Sequence, residues 1–107
     1  MRISQSEIKQ IISALAPFME KQTAELYLYG SRTNDQLKGG DIDLLLLLDT
    51  PESAKNLLSQ KHKILAQIKN LIGEQRIDLK IASKKQTKED PFLQLIMPGA
   101  ILLHQWQ

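Results

Sequence analysis

The chain has 107 residues, 42% of them hydrophobic and 24% charged, which is the size and composition of one globular domain. Its net charge of +2 is too small to predict direct nucleic-acid binding, and the lack of cysteine excludes disulfides and thiolate metal sites. The leucine run at residues 44–48 is far shorter than the roughly 20 residues of a membrane helix, and residues 1–10 do not resemble a signal peptide. We therefore expect a single cytoplasmic domain over residues 1–107, without a membrane anchor.

The chain begins with a predicted helix and a predicted strand. Ser4 and Glu7 have the spacing of a capping box, and apolar residues follow them at helical intervals. Pro17 should kink or end this helix near residue 16. Residues 25–29 alternate as a strand, with two leucines on one face and two tyrosines on the other.

The next predicted strand is the apolar run at residues 42–48. A leucine run could equally be helical, because leucine favours helices. The run is short, however, and lies between Gly39-Gly40 and Thr50-Pro51, which favours a central strand covered on both faces. Thr50 and Pro51 are then predicted to cap and open one helix that ends at Gly73.

The last part of the chain is predicted to add strands at residues 76–82 and 100–103 and a short helix from Pro91 to about residue 97. Residues 31–40 are too few for a crossover helix and allow one helical turn plus a loop. The order of elements predicts an α/β (α+β) fold, with helices packed against a small mixed sheet.

Two aspartates open the central strand. Side chains at i and i+2 of a strand lie on one face, so Asp41 and Asp43 should project together, roughly 6.6–6.8 Å apart at Cα. Converging carboxylates can bind a hard divalent cation such as Mg²⁺, although acidic residues are also common at the exposed start of a strand. Asp78 lies on the polar face of the next predicted strand and would complete a trio if the two strands are neighbours. It could instead pair with Lys80 or Arg76 at the surface.

Gly30, Ser31 and Arg32 follow the first strand and have the composition of a phosphate-binding turn. Glycine allows a sharp turn and a close approach of backbone N–H groups to a phosphate. Ser31 adds a hydroxyl donor, and Arg32 can contact phosphate or lie free on the surface. Alone, a Gly-Ser pair usually marks only a turn, so the prediction of a phosphate site depends on its combination with the three aspartates.

These residues resemble the nucleotidyltransferase superfamily that includes DNA polymerase beta, and most closely its minimal nucleotidyltransferase (MNT) proteins. The likeness lies in Gly30-Ser31, the spacer RTNDQLKGG, Asp41-Ile42-Asp43 and Asp78 in RIDLKI. The resemblance implies a nucleotidyltransferase fold and a glycine-serine turn that holds the β- and γ-phosphates of a nucleoside triphosphate, with ATP as the expected substrate. It also implies two Mg²⁺ ions on Asp41, Asp43 and Asp78, with Asp78 helping to activate the acceptor hydroxyl.

The resemblance also implies a partner. MNT proteins are often encoded beside a small helical HEPN protein, and in some toxin–antitoxin pairs the MNT protein transfers AMP to a tyrosine of the HEPN toxin. We therefore expect a Mg²⁺-dependent protein adenylyltransferase with an antitoxin role, in a hetero-oligomer. One alternative is a catalytically weak MNT module that neutralises a HEPN partner by contact. The other is a nucleotidyltransferase that acts on RNA or a small molecule.

The aromatic residues leave two questions open. Tyr27 and Tyr29 are most simply strand packing, with self-adenylylation as the alternative. Trp106 either folds back on the core or covers a partner surface.

Overall fold

The computed structural model describes residues 3–33, 41–73 and 75–107, with the backbone alone at residues 31 and 32. Within them the helices are α1 (Gln5–Leu15), α2 (Pro51–Leu58), α3 (Lys61–Ile72) and α4 (Pro91–Ile96). The strands are β1 (Ala24–Tyr29), β2 (Ile42–Leu48), β3 (Ile77–Ser83) and β4 (Ile101–Trp106). No helix in this part of the chain has the length and apolar character needed to cross a membrane. The predicted Gly39-Gly40 boundary and the rest of the spacer, residues 34–40, lie outside the described residues.

The strands form one mixed sheet in the order β3-β2-β1-β4. β1 pairs antiparallel with β2 and with β4, and the β1–β4 pairing shifts register between Leu26 and Tyr27. β2 and β3 run parallel, because α2 and α3 form the crossover that brings the chain back to the same end of the sheet. This architecture confirms the predicted α/β fold.

Helices cover the two faces of the sheet unequally. The larger core lies between one face of the sheet and α1, α2 and α3, and the smaller core lies on the opposite face, under α4. β2 is buried on both sides, as predicted, because alternate leucines enter the two cores. Leu44, Leu46 and Leu48 belong to the larger core, and Leu45 and Leu47 to the smaller one.

One predicted element is wrong. The single helix expected from Pro51 to Gly73 is two helices, because α2 ends at Leu58 and α3 begins at Lys61. Gln60 between them has φ −106° and ψ 7°, which is outside the helical range. Residues 59–63 are all polar, so for more than one helical turn nothing anchors a continuous helix to the core.

The structure shows how Trp106 and the two tyrosines pack. Trp106 is partly buried against the larger core together with Leu103, so it folds back on the chain. It extends β4 beyond the predicted end at residue 103 and meets the His104 ring edge to face, with centroids 4.6 Å apart. Tyr29 is buried in the smaller core, and Tyr27 packs against the same core, as predicted for strand packing.

The capping box of α1 provides a direct test of the helix start. The Ser4 Oγ accepts the Glu7 N–H at 3.0 Å, and the Ser4 N–H donates to Glu7 Oε1 at 3.1 Å. Ser4→Ala should therefore lower the free energy of unfolding by about 1 kcal/mol. Ser6→Ala, an exposed position in the same first turn, is the control and should change it much less. Urea unfolding of both variants measures the difference, and equal losses would contradict the capping role.

Candidate active site

The acidic side chains predicted from the sequence come together at one end of the sheet. Asp43 in β2 is directly opposite Asp78 in β3, and adjacent strands lie about 4.8 Å apart. Because residues paired in parallel strands point to the same face, both carboxylates project on the α4 side of the sheet. Asp41 lies two residues before Asp43, directly ahead of the first residue of β2, and is on the same face of the sheet.

The closeness of the three carboxylates affects the pKa of Asp43. Burial raises the pKa of the Asp43 carboxyl above its ordinary value of 3.8, and the negative charges of Asp78 and then Asp41 raise it further. Each effect disfavours the ionised form. Asp43 is therefore a carboxylate held in an unfavourable state, and a cation placed against it would relieve the repulsion.

Asp41 also has a second partner. Its Oδ1 lies 3.7 Å from Arg76 Nε at the protein surface. Within the described residues, no three acidic or histidine side chains converge closely enough to hold a metal ion as they stand. The donor set nevertheless fits Mg²⁺, which binds through one or two carboxylates and keeps several waters. Asp43 and Asp78 supply such a pair.

The turn after β1 touches the same carboxylate. Gly30 has φ +80°, a conformation that side chains rarely adopt, and begins a 3₁₀ turn over Gly30–Thr33. The Thr33 hydroxyl donates to the Gly30 carbonyl at 2.7 Å, which closes the turn. A Cβ added at Gly30 would collide with the Asp43 carboxylate and lie 3.2 Å from its Cγ. The glycine therefore leaves the space that Asp43 occupies.

Aromatic and basic side chains adjoin the carboxylates. Tyr29 pairs with Asp43 across β1 and β2, and its ring meets the Phe92 ring edge to face with centroids 5.9 Å apart. Burial, followed by the charges of Asp78 and Asp43, raises the pKa of Tyr29 to about 12, so the phenol is neutral at physiological pH. Lys80 Nζ lies 5.2 Å from the centroid of the Phe92 ring.

A cavity of about 520 Å³ opens beside Asp78. The carboxylate side contributes Tyr29 and Lys80, and Phe92 contributes an aromatic wall. Leu58 and Lys61, at the break between α2 and α3, also line the cavity. Its volume is in the range of small-ligand sites.

The sequence therefore located the three aspartates and Gly30, which the fold brings to one end of the sheet. The side chains of Ser31 and Arg32 lie outside the described residues, so their phosphate-binding role stays a prediction. Sequence reasoning missed the cavity walls. Phe92 lay in a predicted short helix with no distinguishing pattern, whereas the polar run at residues 59–63 was a signal for the helix break that exposes Leu58 and Lys61.

Comparison with known proteins agrees with this geometry. A search of curated proteins and a search of solved structures each returned no match to the chain. A family model described as a nucleotidyltransferase domain matches residues 6–96, which run from α1 to the end of α4 and include every residue of the candidate site. The chain therefore belongs to the nucleotidyltransferase domain family, within the superfamily that includes DNA polymerase beta.

Proposed function

We propose that this nucleotidyltransferase is a Mg²⁺-dependent protein adenylyltransferase that transfers AMP from ATP to a hydroxyl of a partner protein. The proposed acceptor is a tyrosine of a HEPN-type toxin, which would make the chain an antitoxin. The observation that supports it is the position of Asp43, between the Gly30 turn on one side and Asp78 on the other. That order allows triphosphate and acceptor to approach the same carboxylate from opposite sides.

Each residue then has a distinct task. The backbone after Gly30, with Ser31 and Arg32, holds the terminal phosphates. Asp41, Asp43 and Asp78 would hold the divalent ions, and the ions would supply positive charge against the phosphates. Asp78 accepts the proton of the acceptor hydroxyl as its oxygen bonds to the α-phosphorus and the bond to pyrophosphate breaks. Tyr29 is 7% exposed and its pKa is raised to about 12, chiefly by burial, which disfavours self-adenylylation at this residue.

Transfer of label tests the proposal. The chain and the protein encoded beside its gene are incubated with Mg²⁺ and ATP labelled at the α-phosphate. We expect label on the partner's tyrosine, with loss of at least about a hundredfold in rate for Asp78→Asn. Asp49→Asn is the matched control, because Asp49 follows the opposite end of β2, where it pairs with Lys84 at 3.4 Å. It should retain the parent rate.

Three outcomes contradict the proposal. Neutralisation of the partner that survives Asp78→Asn would indicate a binding module that acts by contact. Label on RNA or a small molecule, and none on protein, would indicate a different acceptor. Equal loss in Asp78→Asn and Asp49→Asn would show that the effect is not specific to the candidate site.

A further inference from the structure

We infer that the cavity beside Asp78 is an acceptor subsite that binds an acidic, partly apolar polypeptide segment. This inference rests on the proposed function and adds the chemistry by which the acceptor is recognised. The cavity has a volume of about 520 Å³ and shares Asp78 and Tyr29 with the candidate active site. A segment lying in it would bring a hydroxyl group next to the carboxylates.

The strand order determines which side the acceptor uses. β2 lies between β1 and β3, so Asp43 separates the Gly30 turn from Asp78. The cavity lies on the β3 side, with a wall formed by the residues at the α2–α3 break. Phosphates held at the Gly30 turn therefore leave this cavity open to a second substrate.

Charge in the cavity wall favours an acidic occupant. Lys61 and Lys80 bring two positive charges to the wall. Among the lining residues only Asp78 is negatively charged, and Asp43 lies directly opposite it in β2. Lys80 Nζ is positioned over the Phe92 ring, 5.2 Å from its centroid, so the ring supports a cation at this point. An acidic side chain on each side of the acceptor hydroxyl would complement the two lysines.

Exposed apolar side chains in the cavity lining favour a polypeptide over a nucleic acid as its occupant. Leu58 and Phe92 line the cavity and are 50% and 41% exposed. Leu95, three residues after Phe92 in α4, is 78% exposed and lies outside the cavity lining. Clusters of exposed apolar residues mark protein interaction sites, whereas single-stranded nucleic acid prefers a continuous basic groove. The wall therefore suits leucine-like and acidic side chains of a partner protein.

Binding without ATP or Mg²⁺ tests the subsite apart from catalysis. Two fluorescent peptides are compared, one with a central tyrosine flanked by glutamate and leucine, and one with lysine in place of each glutamate. We expect the glutamate peptide to bind about tenfold more tightly, and Lys61→Glu to abolish that preference. Lys63→Glu, the same charge change at an exposed position two residues further along α3, is the matched control and should retain it.

A second pair of variants tests the apolar wall. Leu58→Ser should weaken binding of the glutamate peptide several-fold, and Leu71→Ser, an exposed leucine on α3 outside the cavity lining, should not. Equal binding of the two peptides, or equal losses in the two members of either variant pair, would overturn the subsite. So would tighter binding of an oligoribonucleotide that Lys61→Glu abolishes.

Catalysis is then measured with the same peptides. Adding Mg²⁺ and labelled ATP reports whether AMP reaches the bound tyrosine. Selective binding without transfer to this or any other protein acceptor would refute the proposed function and leave the recognition surface intact. Transfer to both peptides at equal rates would refute the subsite and leave the proposed function intact.

Discussion

The Asp43→Asn variant is expected to lose about a hundredfold or more of the nucleotidyl-transfer rate while unfolding at the same or a higher temperature than the parent chain. The loss of activity follows from removing the carboxylate that lies between Gly30 and Asp78 and would hold the divalent ion. The gain or retention of stability follows from removing a charge that the folded state disfavours. A residue important only for the fold would show the opposite pattern, because its loss would lower stability and activity together.

The charge of Asp43 should also make the stability of the folded chain depend on pH. The pKa of Asp43 is raised in the folded chain, so the folded state holds its proton more tightly than the unfolded state. Stability should fall as the pH rises from 3.8, the ordinary value, through the raised pKa, and the deficit persists at neutral pH. Asp43→Asn should remove that part of the pH dependence. Thermal unfolding between pH 3 and pH 8 measures it.

The response to Mg²⁺, with Asp49→Asn as the matched control, distinguishes cation binding at Asp43 from a general effect of removing one negative charge. Mg²⁺ should raise the unfolding temperature of the parent chain and of Asp49→Asn, because an ion bound only by the folded state stabilises it. It should not stabilise Asp43→Asn to the same extent. Two results would refute the placement of a cation at this carboxylate. One is a loss of stability in Asp43→Asn alongside its loss of activity, and the other is a response of Asp43→Asn to Mg²⁺ equal to that of the parent chain.

The second large effect is expected at Gly30. Gly30→Ala should lose about 1–3 kcal/mol of unfolding free energy, because alanine is strained at φ +80°. It should also lose about a hundredfold of the transfer rate, because the new Cβ would occupy the space of the Asp43 carboxylate. The Asp43 side chain can rotate away to relieve the clash, and that rotation removes it from the site.

Gly73 provides the control for the stability that is lost through backbone strain at a positive φ. It has φ +85°, close to that of Gly30, but a Cβ added there would meet nothing within 4 Å. Gly73→Ala should therefore lose a similar amount of stability and keep its transfer activity. Urea unfolding and the labelled-ATP assay on both variants make the comparison. Equal activity in the two variants would show that the contact between Gly30 and Asp43 has no part in the reaction.

The features that the sequence predicted well share one physical basis, which is periodicity against a buried surface. The strand β3 is an example. Ile77, Leu79 and Ile81 alternate with Arg76, Asp78 and Lys80, so the face that carries Asp78 could be assigned before any pairing was known. The parallel register that places Asp78 opposite Asp43 was not predictable in this way, because it depends on how the α2–α3 crossover packs.

The features that the sequence did not predict depend on contacts between distant residues. Phe92 has the same local pattern as any apolar residue in a short amphipathic helix. Its place in the site follows from contacts with Tyr29, far away in sequence, and from the Asp90 carboxylate that accepts its N–H at 2.8 Å. Lys61 lines the cavity as the first residue of α3, directly after the helix break that the sequence analysis did not predict.

The parallel pairing of β2 with β3 also bears on how quickly the protein folds. β1 and β2 are close in sequence and can pair early, whereas β3 joins them only after the long crossover through α2 and α3 has closed. Asp43 and Asp78 therefore stay apart until that late event, and their mutual repulsion opposes only the docking of β3. We therefore expect the repulsion to slow the docking of β3, the non-local step, and to leave the local pairing of β1 with β2 unaffected.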